Sequence, residues 1–387
     1  MSERTQHKRP EGNTEMTSSL DICRFGVNYT PSRDWWYCWN DFQPDDIKRD
    51  LDAIVKLNAD HMRIMLLWPF FQPNPSWVSP AHLERLDSLM EMASERNLDV
   101  AVSVFCGHLT GQNFRPGYER RPEDFFESPL MLDAQRHFLE CLSGTLNKHD
   151  NFLCYDLGNE LNCCWSPPAL ATGDAWHKRS MALAESLSPG KTHVNGVDHQ
   201  PWFVEAAFSP ECLARTQQIV ALHCWIEFTG ALNEAGGDPF ANECVGLPAA
   251  MAALARLYAG DMQKPVWSQE FGASEQWMPK ATIPAFFERT LLSALHGGIA
   301  WHTAWASHDI APKFNVNPLE YSLGLIDSKQ RLKPQGEIFA KVAAEWRGRN
   351  IDIPELHIPE LPSRRTHESA WRWIRTFIAE NKSLNAT

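Results

Sequence analysis

Short runs of consecutive apolar residues alternate with longer amphipathic segments along most of the chain. Uninterrupted apolar runs of this length are typical of parallel β-strands, because neighbouring elements cover both faces of such strands. The pattern predicts eight strands, over residues 24–29, 61–67, 98–105, 152–158, 192–197, 218–223, 265–270 and 298–304.

The amphipathic segments between these runs have the spacing and the end signals of α-helices. The segment 45–57 starts with acidic residues, which suit the positive end of a helix, and its apolar residues fall on one face. The segment 79–97 starts with Ser-Pro, a frequent helix start. The same signals predict helices over 129–148, 168–187, 247–258, 284–296 and 334–346, and a weaker pattern covers 201–215.

Strand and helix alternating eight times predict an α/β protein with the (β/α)8 TIM-barrel fold. A doubly wound open sheet is the alternative, but neither GxGxxG nor GxxxxGK[ST] follows the first predicted strand. Within the 387 residues we predict a disordered tail over 1–21, the barrel over 22–349 and a C-terminal extension over 350–387. The extension contains an amphipathic helix, 367–381, which we expect to pack back on the barrel.

Composition argues against several classes of function. The formal net charge is −12 without a basic stripe, which argues against nucleic acid and against an anionic membrane surface. No apolar run is long enough to span a membrane, and residues 1–20 lack the apolar centre of a secretory signal, so we expect a cytoplasmic protein. The ten cysteines form no CxxC pair, which indicates buried free thiols. The sequence leaves the oligomeric state open.

Two carboxylates stand directly at the ends of predicted strands. Glu160 ends the run Tyr-Asp-Leu-Gly-Asn-Glu after strand four, and Glu270 ends Val-Trp-Ser-Gln-Glu after strand seven. TIM-barrel active sites lie at the C-terminal ends of the strands, and strands four and seven lie on opposed sides of the ring. We therefore expect the two side chains to face each other. Facing carboxyl groups suit glycosidic cleavage, one as proton donor and the other as nucleophile or base.

The motifs Gly-Asn-Glu, ending at Glu160, and Gln-Glu-Phe-Gly, around Glu270, resemble the two catalytic signatures of glycoside hydrolase clan A, the retaining (β/α)8 glycosidases. Within this clan the chain is most similar to family 5, the cellulase and mannanase family, over residues 25–346. The resemblance implies that Glu160 is the acid/base and Glu270 the nucleophile. It further implies that Asn159 binds the substrate 2-hydroxyl and that Arg63 pairs with Glu270 and holds it ionised.

Further residues fall where family 5 has its barrel-mouth residues. The resemblance places His108 there, and it implies that His223 orients an acid or a sugar hydroxyl. One departure is Trp225, because the family has His-x-Tyr after strand six, with the tyrosine hydroxyl on the nucleophile. An indole donates one hydrogen bond but cannot mimic a phenol. Either another residue, with Tyr29 as a candidate, makes that contact, or the chain is a divergent member.

The chain contains 16 tryptophans, more than a core requires. About half are expected in core or loop packing, while others offer flat faces on which pyranose rings stack. Trp225 and Trp301 are our candidates at the cleaved sugar. The candidates for neighbouring sugar units are Trp35, Trp36 and Trp165.

We expect no cofactor and no metal. The first strand does not end in His-x-His, and HExxH and GxSxG are absent. A metal site is conceivable at His302, His308 and Asp309, but we expect these residues to form an ordinary polar loop. The sequence thus predicts a retaining β-glycosidase acting on gluco- or manno-configured oligosaccharides. The alternatives are an inactive barrel that binds carbohydrate or a protein partner, and a clan member of other specificity, such as a β-galactosidase or transglycosylase.

Overall fold

The computed structural model describes residues 20–362 and 365–385, so the predicted tail lies almost entirely outside the described residues. The strands are β1 Arg24–Asn28, β2 His61–Met65, β3 Asp99–Ser103, β4 Phe152–Asn159, β5 Val194–Gly196, β6 Val220–His223, β7 Val266–Glu270 and β8 Trp301–Ala304. They pair in parallel in the order β5–β4–β3–β2–β1–β8–β7–β6, and β5 and β6 are neighbours across the remaining seam. The predicted (β/α)8 barrel is therefore confirmed.

Long helices follow the strands and cover the outside of the ring. Most have proline in the first turn, where its fixed φ favours a helix start and its missing N–H costs no bond. The weak pattern over 201–215 becomes two short helices, Gln200–Phe203 and Pro210–Thr216. The helices are α1 Pro44–Val55, α2 Pro80–Ser94, α3 Pro129–Leu146, α4 Leu170–Leu187, α5 Pro210–Thr216, α6 Leu247–Ala259, α7 Ile283–His296, α8 Pro334–Trp346 and α9 His367–Glu380.

Short elements shape the loops above the barrel mouth. After β3 the chain forms a two-stranded hairpin from His108–Leu109 and Gln112–Asn113. After β8 it forms the 3-10 helix Pro318–Tyr321. The other short helices are Trp35–Trp39, Trp68–Phe71, Asp124–Glu127, Leu161–Cys164, Gln200–Phe203, Ala231–Glu234, Asn242–Val245, Lys280–Thr282 and Lys382–Asn385.

Helix α9 is the predicted C-terminal helix, and its apolar face is buried. Thr366 begins it with a capping box that includes Ser369. The indole of Trp371 donates to the carbonyl oxygen of Thr229 at 2.8 Å, which attaches the helix to the loop after β6. Trp373 and Phe377 stack with ring centroids 5.4 Å apart. The stack orders the face of α9 itself, and the bond from Trp371 holds the helix against the barrel beside α6.

None of the helices in the described ranges is both long and apolar enough to cross a bilayer. All ten cysteines are free thiols, and burial raises the pKa of the Cys106 thiol, inside the barrel, to about 12. The free thiols agree with the interpretation of the cysteine pattern. The cytoplasmic location stays a prediction.

Candidate active site

Glu160 and Glu270 meet at the C-terminal ends of their strands. Glu270 is the last residue of β7, and Glu160 follows β4 with a left-handed backbone, φ 47°. His223, at the end of β6, lies between them. Its Nδ1 is 2.8 Å from Glu160 Oε1 and 3.4 Å from Glu270 Oε2. One carboxylate oxygen from each glutamate and a ring nitrogen of His223 all lie within 4.8 Å of one another, so the two carboxyl groups share one pocket.

Arg63, at the centre of β2, connects the side chains at the ends of β4 and β7 from inside the barrel. Its guanidinium is fully buried and donates to Glu270 Oε1 at 2.8 Å and to Asn159 Oδ1 at 2.8 Å. It also pairs with the buried Asp156 of β4, whose carboxylate balances part of its charge. Asn28 accepts a further bond at 2.9 Å. A planar guanidinium with several fixed donors suits this task, because it orients separate acceptors at once.

Asn159 is held on both sides of its amide. Its oxygen accepts from Arg63, and its Nδ2 donates to the carbonyl oxygen of His108 at 2.7 Å. The His108 ring lines the cleft and bonds Asn113 of the hairpin at 2.8 Å. The structure therefore brings both predicted residues to the barrel mouth beside Glu160.

Trp225 itself contacts the predicted nucleophile, which answers the question left by the missing tyrosine. Its indole donates to Glu270 Oε2 at 3.2 Å. Tyr29 does not make this contact, because its hydroxyl donates to Asp50 Oδ2 at 3.0 Å, beside α1. The structure therefore corrects the suggestion that Tyr29 replaces the family's tyrosine.

Burial and charge set the protonation of the pair. Burial, aided by the charge of Asp198, raises the pKa of Glu160 to about 7, although His108 and Arg63 oppose the shift. Burial also raises the pKa of Glu270, and His223 and Arg63 counteract it. Burial lowers the pKa of His223, so its imidazole is neutral near neutral pH. Glu160 is thus suited to carry a proton, and Glu270 receives the hydrogen bonds that favour an anion.

A close approach at Gly196, the end of β5, lets these groups assemble. A Cβ atom there would lie 2.4 Å from Gln269 Oε1 and 3.0 Å from both Arg63 Nη2 and His223 Nε2. Gln269 Oε1 in turn lies 3.0 Å from His223 Nε2. A larger residue at Gly196 would displace the network that positions both glutamates.

The cleft above the glutamates has a volume of about 140 Å³. Seven of its eleven lining residues were not predicted, and three of these carry the chemistry discussed below: Trp305, Phe228 and Glu320. Among these three, the signal in the sequence differs. Trp305 directly follows β8, so the strand-end rule could have found it, whereas the other two lie in loops without a local signal. The lining residues are His108, Thr110, Gly111, Asn159, Glu160, Trp225, Phe228, Trp305, Asn317, Leu319 and Glu320.

Trp301 does not line this cleft, and its assignment to the cleaved sugar is corrected. It is the first residue of β8 and pairs in register with Arg24, the first residue of β1. Its ring lies 5.0 Å from the Arg24 guanidinium and 5.3 Å from Trp267. Trp301 therefore lies toward the opposite end of the barrel, and Trp305 takes the position at the mouth.

The three tryptophans predicted for neighbouring sugar units are buried packing residues. Trp35 packs against Trp36, with ring centroids 4.9 Å apart, and Trp36 donates to the carbonyl oxygen of Tyr29 at 3.1 Å. Trp165 stacks on Phe125 at 4.3 Å. Their side chains support the loops around the mouth and leave no face open to a sugar.

Among the residues that the structure describes, the group Glu160, His223 and Glu270 is the one that could hold a metal ion. Arg63 already supplies the positive charge beside Glu270, at 2.8 Å, so the set is better suited to proton transfer than to metal binding. His302 and His308 do not form the alternative metal site with Asp309. His302 bonds the Ile299 carbonyl, His308 bonds Ser307 and Gln330, and Asp309 pairs with Lys333.

The barrel and its paired carboxyl groups define a glycosidase of the clan A type. Comparison with known proteins agrees. No protein-family profile matches the chain, and no curated protein matches it. Among solved structures, a GH5_18 protein from Streptomyces cattleya, in complex with Manβ1-4GlcNAc, is 30% identical with a TM-score of 0.83, and the match covers 90% of this chain and 87% of that one.

Two further structures are similar. A GH5_18 protein from Bifidobacterium longum subsp. infantis is 26% identical with a TM-score of 0.84, and the match covers 94% of this chain and 90% of that one. An exo-β-1,4-mannosidase from Opitutaceae bacterium strain TAV5 shares the fold, with 23% identity, a TM-score of 0.78 and coverage of 91% and 66%. The chain belongs to glycoside hydrolase family 5 and is a glycosidase.

Proposed function

We propose that this protein is a retaining β-mannosidase that cleaves Manβ1-4GlcNAc or closely related oligosaccharides. The observation that carries the proposal is the spacing of the two carboxyl groups, whose facing oxygens lie within 4.8 Å. Retaining glycosidases hold their carboxyl groups about 5–5.5 Å apart, whereas inverting enzymes need roughly 6.5–9.5 Å to admit a water molecule. The spacing therefore favours a covalent intermediate.

In the first step, Glu270 attacks the anomeric carbon as the glycosidic C–O bond breaks. The Arg63 guanidinium and the Trp225 indole hold one carboxylate oxygen each, which aims the carboxylate and favours its ionised form. Glu160, with its pKa raised to about 7, gives its proton to the departing sugar oxygen. Asn159, fixed by Arg63 and by the His108 carbonyl, is placed to bind the 2-hydroxyl.

In the second step, Glu160 accepts a proton from water, and the resulting hydroxide displaces Glu270 from the sugar. Glu270 is then a neutral ester, and Glu160, which lost its proton in the first step, is the carboxylate that accepts the proton of water. Two displacements at one carbon retain the configuration.

Three observations support a β-mannoside as substrate and cleavage of its terminal unit. The Streptomyces cattleya GH5_18 protein was solved with Manβ1-4GlcNAc bound. Gln112 Nε2 of the hairpin donates to the carbonyl oxygen of Asn315, at 2.9 Å, and this contact joins the loops after β3 and β8 across one end of the cleft. On the loop after β6, the ring of Phe228 is 50% exposed and lines the cleft, which leaves an aromatic face for the departing sugar.

The test is hydrolysis of Manβ1-4GlcNAc, with ¹H NMR of the first anomer formed. We expect β-mannose first, and mutarotation to α-mannose later. As matched variants, Glu270→Gln should lower kcat by several orders of magnitude, whereas Glu368→Gln, on the exposed face of α9, should not change it. First release of α-mannose would refute the retaining mechanism. Hydrolysis of glucosides or galactosides in preference to mannosides would refute the substrate.

A further inference from the structure

A third carboxyl group lies in the cleft, and the two-carboxylate mechanism does not use it. Glu320 belongs to the 3-10 helix Pro318–Tyr321 and lines the same cavity as Glu160. It is 9% exposed, and the Trp305 indole donates to its Oε2 at 3.0 Å. Within residues 20–362 and 365–385, no cationic side chain pairs with Glu320 and no second donor reaches its carboxyl group. Its other oxygen is free to meet a ligand.

Such a group is unfavourable in an empty cleft. Burial raises the pKa of Glu320 to about 8, with Glu270 and Glu160 adding to the shift and the indole bond opposing it. A buried carboxyl group that lacks a cation is costly unless hydrogen-bond donors surround it. Sugar hydroxyls are suitable partners, because they donate to a carboxylate and accept from a protonated carboxyl group.

The surroundings of Glu320 place it at the closed end of the cleft. Asn317 caps its helix, accepting from the Leu319 amide at 3.3 Å, and also lines the cavity. The contact between Gln112 and the Asn315 carbonyl joins this loop to the hairpin. A sugar ring above Glu270 that reaches Glu320 therefore meets a wall and cannot continue into a longer chain.

We propose that Glu320 is a specificity-determining residue. Its free carboxyl oxygen binds a hydroxyl group of the terminal sugar on the side away from the cleaved bond, at C3, C4 or C6, while Trp305 holds the other oxygen. This inference rests on the proposed function and deepens it, because it explains how the enzyme recognises a chain end.

The experiment combines substrate deletion with mutation. We would measure kcat/KM for p-nitrophenyl β-mannoside and its 3-, 4- and 6-deoxy analogues. For the wild-type protein, removal of one of the three hydroxyls should lower kcat/KM about 5- to 100-fold, because the buried carboxyl group is left without its partner. Glu320→Ala should lower kcat/KM on the parent glycoside by a similar factor and should no longer distinguish that analogue.

Glu320→Gln keeps an acceptor for the Trp305 indole and serves if the alanine variant fails to fold. Glu320→Gln should retain part of the difference in kcat/KM between the parent glycoside and the deoxy analogue. The control Glu368→Gln should retain all of that difference. If both Glu320 variants distinguish the deoxy analogues as the wild-type protein does, the inference is wrong while the glycosidase assignment stands. If the wild-type protein hydrolyses no aryl β-glycoside, the proposed function and this inference both fail.

Discussion

Replacing Trp225 by phenylalanine removes one donor from the proposed nucleophile. The indole N–H lies 3.2 Å from Glu270 Oε2, and the residue is only 6% exposed, so water does not readily replace it. Phenylalanine keeps an aromatic ring in contact with Phe228 and Trp277. Arg63 still holds the other oxygen of Glu270. The substitution therefore isolates the effect of one hydrogen bond on the ionisation of Glu270.

The size of the effect follows from the strength of that bond. Hydrogen bonds to charged groups contribute roughly 1.5–3 kcal/mol. A separation of 3.2 Å is at the long end of the N–H···O range, so the lower value, about 1.5 kcal/mol, applies. Because about 1.4 kcal/mol corresponds to one pKa unit, the pKa of Glu270 should rise by about one. Glu270 must be ionised to attack, so the acidic limb of the pH profile should move to higher pH.

The assay is the pH dependence of kcat/KM on an aryl β-mannoside between about pH 4 and pH 9, since this quantity reports ionisations of the free enzyme. The two limbs of the pH profile report apparent pKa values that belong to the coupled pair of glutamates. We therefore compare the position of the acidic limb between variants and do not assign its pKa to one residue. We expect the acidic limb of Trp225→Phe about one pH unit above that of the wild-type protein. Trp225→Tyr, which again supplies a donor, should move it back. Superimposable profiles for Trp225→Phe and wild type would refute the role of the indole.

Three further changes test other parts of the site. Glu160→Ala should lower kcat/KM on Manβ1-4GlcNAc by about 10²–10⁴-fold but have little effect on kcat/KM for dinitrophenyl β-mannoside, since this quantity reports the first step and dinitrophenolate leaves without a proton; equal losses would contradict the acid role. Phe228→Ala should raise KM for the disaccharide by about fivefold and leave aryl mannosides nearly unchanged, because its exposed ring contributes about 1 kcal/mol of stacking. Gly196→Ala should cost about 1–3 kcal/mol in a thermal melt and reduce kcat, because its Cβ would meet Gln269 at 2.4 Å. Gly144→Ala, in α3 with open space around it, is the control and should not destabilise the protein.

The sequence alone determined the barrel and the location of its two principal carboxyl groups. Buried parallel strands require apolar side chains on both faces, so the eight strands are visible as continuous apolar runs. A parallel barrel brings all C-terminal strand ends to one face, so Glu160 and Glu270 could be placed together without knowing any contact. The rule that site residues lie at the C-terminal strand ends, together with the family resemblance, also predicted Arg63, Asn159, His108 and His223.

Only the tertiary structure decided which aromatic and acidic groups reach the substrate. Trp301 begins β8 and Trp305 follows it, so their rings lie toward opposite ends of the barrel. The predicted strand, 298–304, put Trp301 in its middle, and only the pairing of β8 with β1 fixed the true start of the strand. The bond from Trp225 to Glu270 depends on how the loop after β6 folds back over β7. Glu320 reaches the cleft through a long loop held by contacts to the hairpin. Loops carry no hydrophobic periodicity, so their side chains are placed by contacts between distant segments, and such contacts exist only after the barrel has formed.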